Sequence, residues 1–597
     1  MRSRSLKGSC RSTEKESLNK NKFFDVSNWN IIELKNSELM ETNFNKPVDP
    51  TDPYVRTAQT FPVLTQEQIE RARLFAREEF LSKGTILFER GERSVDFFIV
   101  LEGNIEIYEH RHDGLNVFTV HREHQFTGEI DLFNNRQILV GGRMGEDGRV
   151  LRFERHQFRK FIAAEPDIGE IVMRAFILRR MGFISHQQAS VTLIATGESA
   201  DTLRIERFLR RNGYPLEVIN YDAAQEEAFL NDVDIQLENL PAVYIYLGEK
   251  LLYNPSNLEL AECLGLVEEL PPNHVYDVAI IGAGPAGLSA AVYAASEALD
   301  TVVIESEAPG GQASTSSKIE NYLGFPTGIS GQALAGRAQL QAQKFGATLA
   351  LPFSVVDIDC QTRPLTLTLD NGTKIKTKAI VIATGARYRT LNIEHPFYYA
   401  GVYYAATALE RDICQNEQII VVGGGNSAGQ AAVFLSRYAS HVHMLIRGEN
   451  LKASMSDYLI ERIDASDKIT LHTQTEITDL KGDRHLEEVT WYNSSTDKTQ
   501  THAIRHVFLM IGAIPNTKWL QNCLALDDRG FICTGLHFTE SKVGQLQRQP
   551  MLLESSVPGI FAAGDVRSGS VKRVASAVGE GSIIISQVHQ YLSELNR

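Results

Sequence analysis

The sequence predicts a multidomain α/β chain in which a β roll and a small α/β unit precede two parallel-sheet units. Three observations predict it. Two strand–glycine-turn–helix units begin at Val275 and Gln418. Short alternating apolar segments fill residues 56–188. The length, 597 residues, exceeds one domain when about 150 residues is typical.

Composition bounds the function. A hydrophobic fraction of 43% allows large cores. The net charge of −14 argues against nucleic-acid partners and membrane-surface binding. The longest apolar stretch, Val278–Ala295, is broken by three glycines and Pro285, so no membrane span is expected. The basic first residues precede no apolar core, which argues against a secretory signal. The six cysteines are Cys10, Cys263, Cys360, Cys414, Cys523 and Cys533. None forms a C-x-x-C pair or a zinc spacing, and so few make no disulfide framework. A reducing, cytoplasmic setting is the expectation. Cys523 and Cys533 read as two unrelated buried thiols, and Cys414 as a packed one.

Along the chain, residues 1–55 are polar and end in a proline-rich run, which reads as a flexible tail. In residues 56–188 a helical stretch at Gln66–Arg77 leads into alternating segments at Thr85–Phe88, Asp96–Leu101, Asn104–Tyr108 and Asn116–Val120. Glycine turns separate them, as in a β jelly roll, and a helical stretch at Gln157–Arg180 closes the unit. Residues 189–270 form a small unit with strands at Val191, Leu216 and Ala242, a helix at Ala200–Arg211, and Leu240-Pro241 before the third strand. Pro271-Pro272 marks a linker.

From Val275 a buried strand runs into Gly282-Ala283-Gly284-Pro285-Ala286-Gly287 and a helix, and the next strand ends on Glu305. Gly282 permits the tight turn, Gly284 lets a pyrophosphate approach the backbone, and Gly287 lets helix and strand pack closely. The helix N-terminus favours phosphate, and Glu305 can accept from ribose hydroxyls. This reads as a Rossmann-like dinucleotide-binding unit. A second begins at Gln418, with Gly423, Gly425, Asn426, Ser427 and Ala428 forming a G-x-G-x-x-A turn. Its next strand ends on Arg447, and a cation there favours a 2′-phosphate, hence NADPH, with NADH as the alternative.

Three resemblances follow. Gly84–Glu92, Phe97–Asn104 and Phe126–Ile130 resemble the cyclic-nucleotide-binding domain family, which implies that Gly128 and Glu129 face a ribose. The arginine expected for the cyclic phosphate aligns with Ile138, leaving Arg136 or Arg143 to substitute. Without a buried cation a phosphate loses its main partner. A protein-contact or dimerisation role is therefore favoured over cyclic nucleotide binding. Residues 189–270 resemble the thioredoxin fold in the order β-α-β-α-β-β-α, with Glu198–Thr202 standing where the C-x-x-C would be.

From Val275 onward, Gly310-Gly311-Gln312, Glu320–Pro326, Ala383-Thr384-Gly385 and Val557–Asp565 resemble the thioredoxin reductase family. The resemblance implies an FAD domain in two parts, residues 272–388 and 515–597, around an NAD(P) domain at 389–514. It places Gly311, Gln312, Asn321, Thr384, Gly385, Gly564, Asp565, Arg573, Val574 and Ala575 near FAD. Arg573–Ala575 would open a helix beside the flavin ring, and Lys572 and Arg573 either touch phosphates or cap. Arg447 matches one 2′-phosphate arginine, Gly448 replaces another, and Lys452 stands for a third. The family's Cys-Ala-Thr-Cys falls on Ala405–Ala408, where both cysteines are alanine. Alanine cannot carry electrons, so a flavin-to-disulfide step at that place is excluded. The expectation is an NAD(P)H-dependent FAD oxidoreductase, commonly a homodimer in this family. Its acceptor is a ferredoxin-like protein, a quinone, a small disulfide or oxygen. The alternative is a regulatory flavoprotein whose upstream units sense or dock partners. His441 and His443 flank a strand and read as surface or satisfied positions.

Overall fold

The computed structural model describes residues 53–595 except 94, 112–113, 135, 187–190, 198, 222–234, 236, 246–249, 317, 394–396, 398–399, 405, 407–412, 484 and 536–547. Nearly all of the 1–55 segment, Glu198, Ala405 and Ala408 thus lie outside the described residues.

The β roll is two antiparallel sheets. One orders Arg77–Leu81, Gly148–Phe153 and Phe97–Glu102; the other orders Ile86–Phe88, Gly141–Met144, Ile105–Arg111 and Gly114–His121. Phe97, Phe126, Phe153, Phe158 and Phe176 fill it with ring-to-ring contacts. The closing helical stretch is two helices, Arg155–Ala164 and α1 (Pro166–Ser185). Pro166 explains the break: it lacks an N–H and is tolerated only in a first helical turn.

The small unit orders its strands Lys250–Tyr253, Ala242–Ile245, Val191–Ala195 and Leu216–Asn220. Val191–Ala195 runs parallel to Leu216–Asn220 and antiparallel to Ala242–Ile245. Helix α2 (Ala200–Arg211) starts where Ser199 Oγ accepts from the Thr202 N–H at 3.1 Å. Most of the segment between Leu216–Asn220 and Ala242–Ile245, where the second helix of this unit is expected, lies outside the described residues. One apolar cluster joins Phe176 of the β roll, Leu193, Ile205 and Phe208 of the small unit, and Leu340 of the FAD unit.

The FAD unit is a parallel sheet in the order Thr348–Ala350, Thr301–Ile304, Val275–Ile281 and Lys374–Ile382. Ile560–Ala562 lies parallel beside the last strand, and Leu365–Leu369 and Val355–Asp359 extend the sheet antiparallel. Both faces are covered, which is why its parallel strands read as near-continuous apolar runs. Helix α3 (Pro285–Ser296) follows the first strand, and α4 (Gly331–Lys344) packs against α3. A second parallel sheet orders Val402–Tyr403, His506–Leu509, Gln418–Val422, His441–Leu445 and Ile469–His472, with α5 (Asn426–Leu435) packed on it. The short ladder of Ala386–Tyr388 with Ala513–Pro515 carries the chain out and back. Helix α6 (Val574–Leu595) ends the described chain and packs along α3. Its Gly581 makes that packing possible: a Cβ there would meet Ser289 Cβ at 2.8 Å and run into the Ala286 carbonyl.

The cysteines depart from expectation. Cys523 is no unrelated thiol; it is disulfide-bonded to Cys360, with Cα atoms 6.2 Å apart. Cys533, its near neighbour in sequence, is buried elsewhere in the same unit. The pairing arises because the turn at Lys518–Leu520 packs on strand Val355–Asp359, bringing together residues 163 apart. No helix among the described residues is long and apolar enough to cross a membrane.

Candidate functional site

The first glycine turn is built as its sequence demands. Gly282 has φ +100°, and a Cβ there would lie 2.5 Å from the Ala383 carbonyl oxygen. Gly284 is the N-cap of α3, Pro285 and Ala286 open its first turn, and a Cβ on Gly287 would run into the Gly282 carbonyl. Glu305 closes the turn: its Oε2 accepts from the Ala283 N–H at 2.8 Å and its Oε1 from the Glu307 N–H at 3.0 Å. Burial pushes its carboxyl above the usual range, against the pull of those two N–H groups. Gly311 comes up opposite, where an added Cβ would lie 3.0 Å from Gly284 Cα.

The C-terminal part closes on the same place. Gly564 has φ +75°, with room for no more than the Ala286 methyl, 3.0 Å from where its Cβ would be. Its N–H donates to Glu580 Oε2 at 2.7 Å. Asp565 is half-buried, and burial raises its carboxyl pKa although Lys572 opposes this. Lys572 Nζ donates to the Asp565 carbonyl at 2.5 Å. The Arg573 carbonyl accepts the first helical bond of α6, from Ala577 N–H at 3.0 Å, while the Arg573 and Ala575 side chains are exposed and Val574 is half-buried. Thr384 Oγ1 donates to the Asn516 carbonyl at 3.4 Å, Gly385 has φ +62°, and Gln312 Nε2 donates to the Ala386 carbonyl. Gly282, Gly284, Ala286, Gly287, Glu305, Gly311 and Gly564 are thus brought together. Asn321 is exposed, and no hydrogen bond joins it to them.

The second turn repeats the design. Gly423 has φ +137° and would drive a Cβ into the Met510 carbonyl. Gly425 caps α5, Asn426 Oδ1 accepts from the Ser456 N–H at 2.7 Å, Ser427 is exposed and Ala428 is buried. Arg447 and Lys452 are exposed, and neither side chain makes an ion pair among the described residues.

Both turns fit a dinucleotide. Neither Gly284 nor Gly425 is an N-cap with a side chain to accept from the helix, so the first N–H groups of α3 and α5 have no side-chain cap and could take an anion. Beside them, the Gly284–Gly311 approach leaves bare backbone where a pyrophosphate needs it.

The model of the family described as "Pyridine nucleotide-disulphide oxidoreductase" matches residues 276–581, half of the chain. The chain belongs to the pyridine nucleotide-disulphide oxidoreductase family. Within it, this half is similar to thioredoxin reductases. The enzyme of Debaryomyces hansenii is 31% identical over 331 residues, 53% of this chain and 98% of that protein. The enzyme of Chlamydia pneumoniae is 34% identical over 321 residues, 52% of this chain and 97% of that protein. The solved Lactococcus lactis thioredoxin reductase is 28% identical with a TM-score of 0.48, over 53% of this chain and 99% of that one. Thioredoxin reductases are FAD-dependent NAD(P)H oxidoreductases, and FAD and NADPH are their cofactors.

Upstream of the oxidoreductase half, the family model described as "Cyclic nucleotide-binding domain" matches residues 78–165. Here the structure corrects the residue roles. Glu129, which would face a ribose, is paired with Arg180 of α1, which also pairs with Asp131, all three buried. Arg136 turns away and donates to the Asn212 carbonyl at 3.2 Å, and Arg143 pairs with Glu106 at 2.9 Å. Neither substitutes at Ile138. The cation on the β-roll cavity is Arg179 of α1, which lies outside the run of residues that carries the resemblance. The Arg179-Arg180 pair in an apolar helix was its only sequence signal. Arg211 and Glu307, which hold the rim of the FAD turn, carried none, because they lie 96 residues apart; Glu580 reaches back from α6 to the Gly564 N–H.

Proposed function

We propose that this chain is an NAD(P)H-dependent FAD oxidoreductase of thioredoxin reductase type whose electrons leave without an internal redox disulfide. One observation carries the reading: two complete glycine-turn sites accompany alanine at both 405 and 408, where the family resemblance places cysteines. FAD bound at the first turn supplies a two-electron carrier that a nicotinamide can reduce and an external acceptor can reoxidise.

The chain's own residues bind and orient. The N–H groups at the start of α3, beside Gly284 and Gly311, take the pyrophosphate. Glu305 would accept from the adenosine ribose hydroxyls beside the two N–H groups it already takes. Asp565 and the Gly564 turn would hold the ribityl side, and the α6 N-terminus would favour negative charge on the reduced flavin. Gly423 to Ala428 take the nicotinamide pyrophosphate. Arg447 and Lys452, both uncommitted, favour a 2′-phosphate; Lys452 is a point charge rather than a fork, so NADPH is preferred over NADH only moderately. The acceptor is a ferredoxin-like protein, a quinone, a small disulfide or oxygen, and the enzyme acts as a homodimer.

Rapid mixing of the FAD-loaded chain with NADPH or NADH tests the reading. Bleaching of the flavin band, faster with NADPH, supports it; no bleaching with either sinks it. Steady-state NADPH oxidation across the four acceptor classes then names the exit.

A second reading, control by the upstream units, is favoured by their shared apolar core and by the contacts of Arg211 and Asn212 on Glu307. The small unit's strand order supports a thioredoxin-like fold. Without its dithiol it serves as a docked spacer between the β roll and the FAD site rather than as a redox partner.

A further inference from the structure

We propose that the cavity inside the β roll is a binding site for a small organic monoanion, a carboxylate on a short apolar body, seated on Arg179. The cavity has about 40 Å³ of space, enough for a few water-sized groups and far too little for a base, a ribose and a phosphate together. Its wall is mainly apolar, including Phe61, Phe88, Phe118, Leu132, Val140 and Phe183.

Two carboxylates stand on that wall, and both are taken. Asp96 pairs with Arg152 at 2.6 Å, and Glu129 pairs with Arg180. Arg179 has no carboxylate partner among the described residues. Its Nε donates to the Thr60 carbonyl at 3.0 Å and its Nη1 to the Gly128 carbonyl at 2.8 Å. The guanidinium lies over the Phe61 and Phe126 rings, at 5.5 and 4.8 Å. The remaining nitrogen, Nη2, is buried and makes no hydrogen bond. The residue is 4% exposed. Burial pulls its pKa down to about 9, so it stays charged at neutral pH.

A second orphan sits on the same wall. His121 is 3% exposed, and its Nδ1 is buried without a partner. Burial, and then the charge of Arg179, lowers its pKa well below the ordinary range, so its ring is neutral and offers one uncommitted donor or acceptor.

A buried charge without a counter-charge is strongly unfavourable, and a buried donor without an acceptor is rare enough to need an occupant. A carboxylate satisfies both conditions: one oxygen accepts from Arg179 Nη2, and its charge balances the guanidinium. The phenyl and aliphatic wall then selects an apolar body. This site is independent of the FAD and NAD(P) turns, so its failure would leave the oxidoreductase reading untouched.

The test is calorimetric titration and thermal shift of the FAD-loaded full chain with acetate and propionate, against acetamide, propionamide and 3′,5′-cyclic AMP. Expected are saturable binding of at least one carboxylate and a raised midpoint, with the matching amide at least roughly tenfold weaker because it lacks the charge. Arg179→Gln removes the binding, and Arg143→Gln retains it. Equal binding of acid and amide, no saturable binding of either acid, or displacement of the acids by cyclic AMP at lower concentration each overturns the proposal. Should Arg179→Gln fail to fold, the comparison of acid with amide on the unaltered chain decides alone.

Discussion

Arg211 Nη1 donates to the Glu307 carboxylate at 2.8 Å, while its Nη2 donates to the Gly311 carbonyl at 3.1 Å. The last residue of α2 therefore holds the rim of the FAD turn from outside the FAD unit. Glu307 in turn donates its N–H to Glu305, so the clamp acts two residues from the carboxylate that closes the glycine turn. Arg211→Ala removes one part-exposed ion pair and one charged hydrogen bond, together about 1–2 kcal/mol. FAD should bind roughly fivefold to twentyfold more weakly, read by fluorescence recovery of released flavin on dilution.

Gly581→Val should separate α6 from α3. The new side chain meets Ser289 Cβ and the Ala290 nitrogen within 2.8 and 3.0 Å, and neither helix can yield without moving the Gly564 turn. A loss of about 2–3 kcal/mol is expected, seen as a lowered unfolding midpoint together with a lower flavin-to-protein absorbance ratio.

The alanine pair makes a direct comparison available. The unaltered chain should not reduce a thioredoxin disulfide with NADPH, because neither Ala405 nor Ala408 can form a thiolate. The double change Ala405→Cys with Ala408→Cys should add a thiol pair whose maleimide labelling rises after NADPH. Labelling that ignores NADPH would show that the family's electron path has been lost beyond the cysteines.

Acid should weaken the nicotinamide unit. Burial holds His506 and His443 at about 4, against 6.5 for a free imidazole. In that window the unfolded chain binds the extra protons, so stability is full above about pH 6.5 and falls as pH drops toward 4. His506, 8% exposed, contributes up to roughly 3 kcal/mol of the loss; His443 is more accessible and adds less. Denaturant midpoints measured between pH 7 and 4, with His506→Gln flattening the trend, check this.

The Cys360–Cys523 bond closes a loop of 163 residues. Reduction should lower the stability of the FAD unit by about 2–4 kcal/mol, and non-reducing peptide mapping should recover the two cysteines joined.

Much of the FAD half was legible because its chemistry is local. Gly282 and Gly287 declare a turn whose backbone angle and clearances admit no side chain, Gly284 caps the helix between them, and Glu305 follows at the end of the next strand. Gly423, Gly425 and Arg447 do the same for the second sheet. Pro166 shows a limit of periodicity: the apolar spacing runs on through it, but its missing N–H splits the helix. The cysteines show another, since Cys523 found its partner just past a distant strand and not in neighbouring Cys533.

The sequence by itself determined the two dinucleotide turns, the absence of a dithiol at Ala405 and Ala408, and the missing phosphate arginine at Ile138. Each is a matter of which atoms a short segment possesses. Only the tertiary structure decided that Arg180 occupies Glu129, that Arg179 is left buried without an ion pair among the described residues, and that Arg211 reaches Glu307. A charge's partner is set by which surfaces pack together, and in this chain the β roll, the small unit and the FAD sheet share one apolar core that brings those side chains within reach.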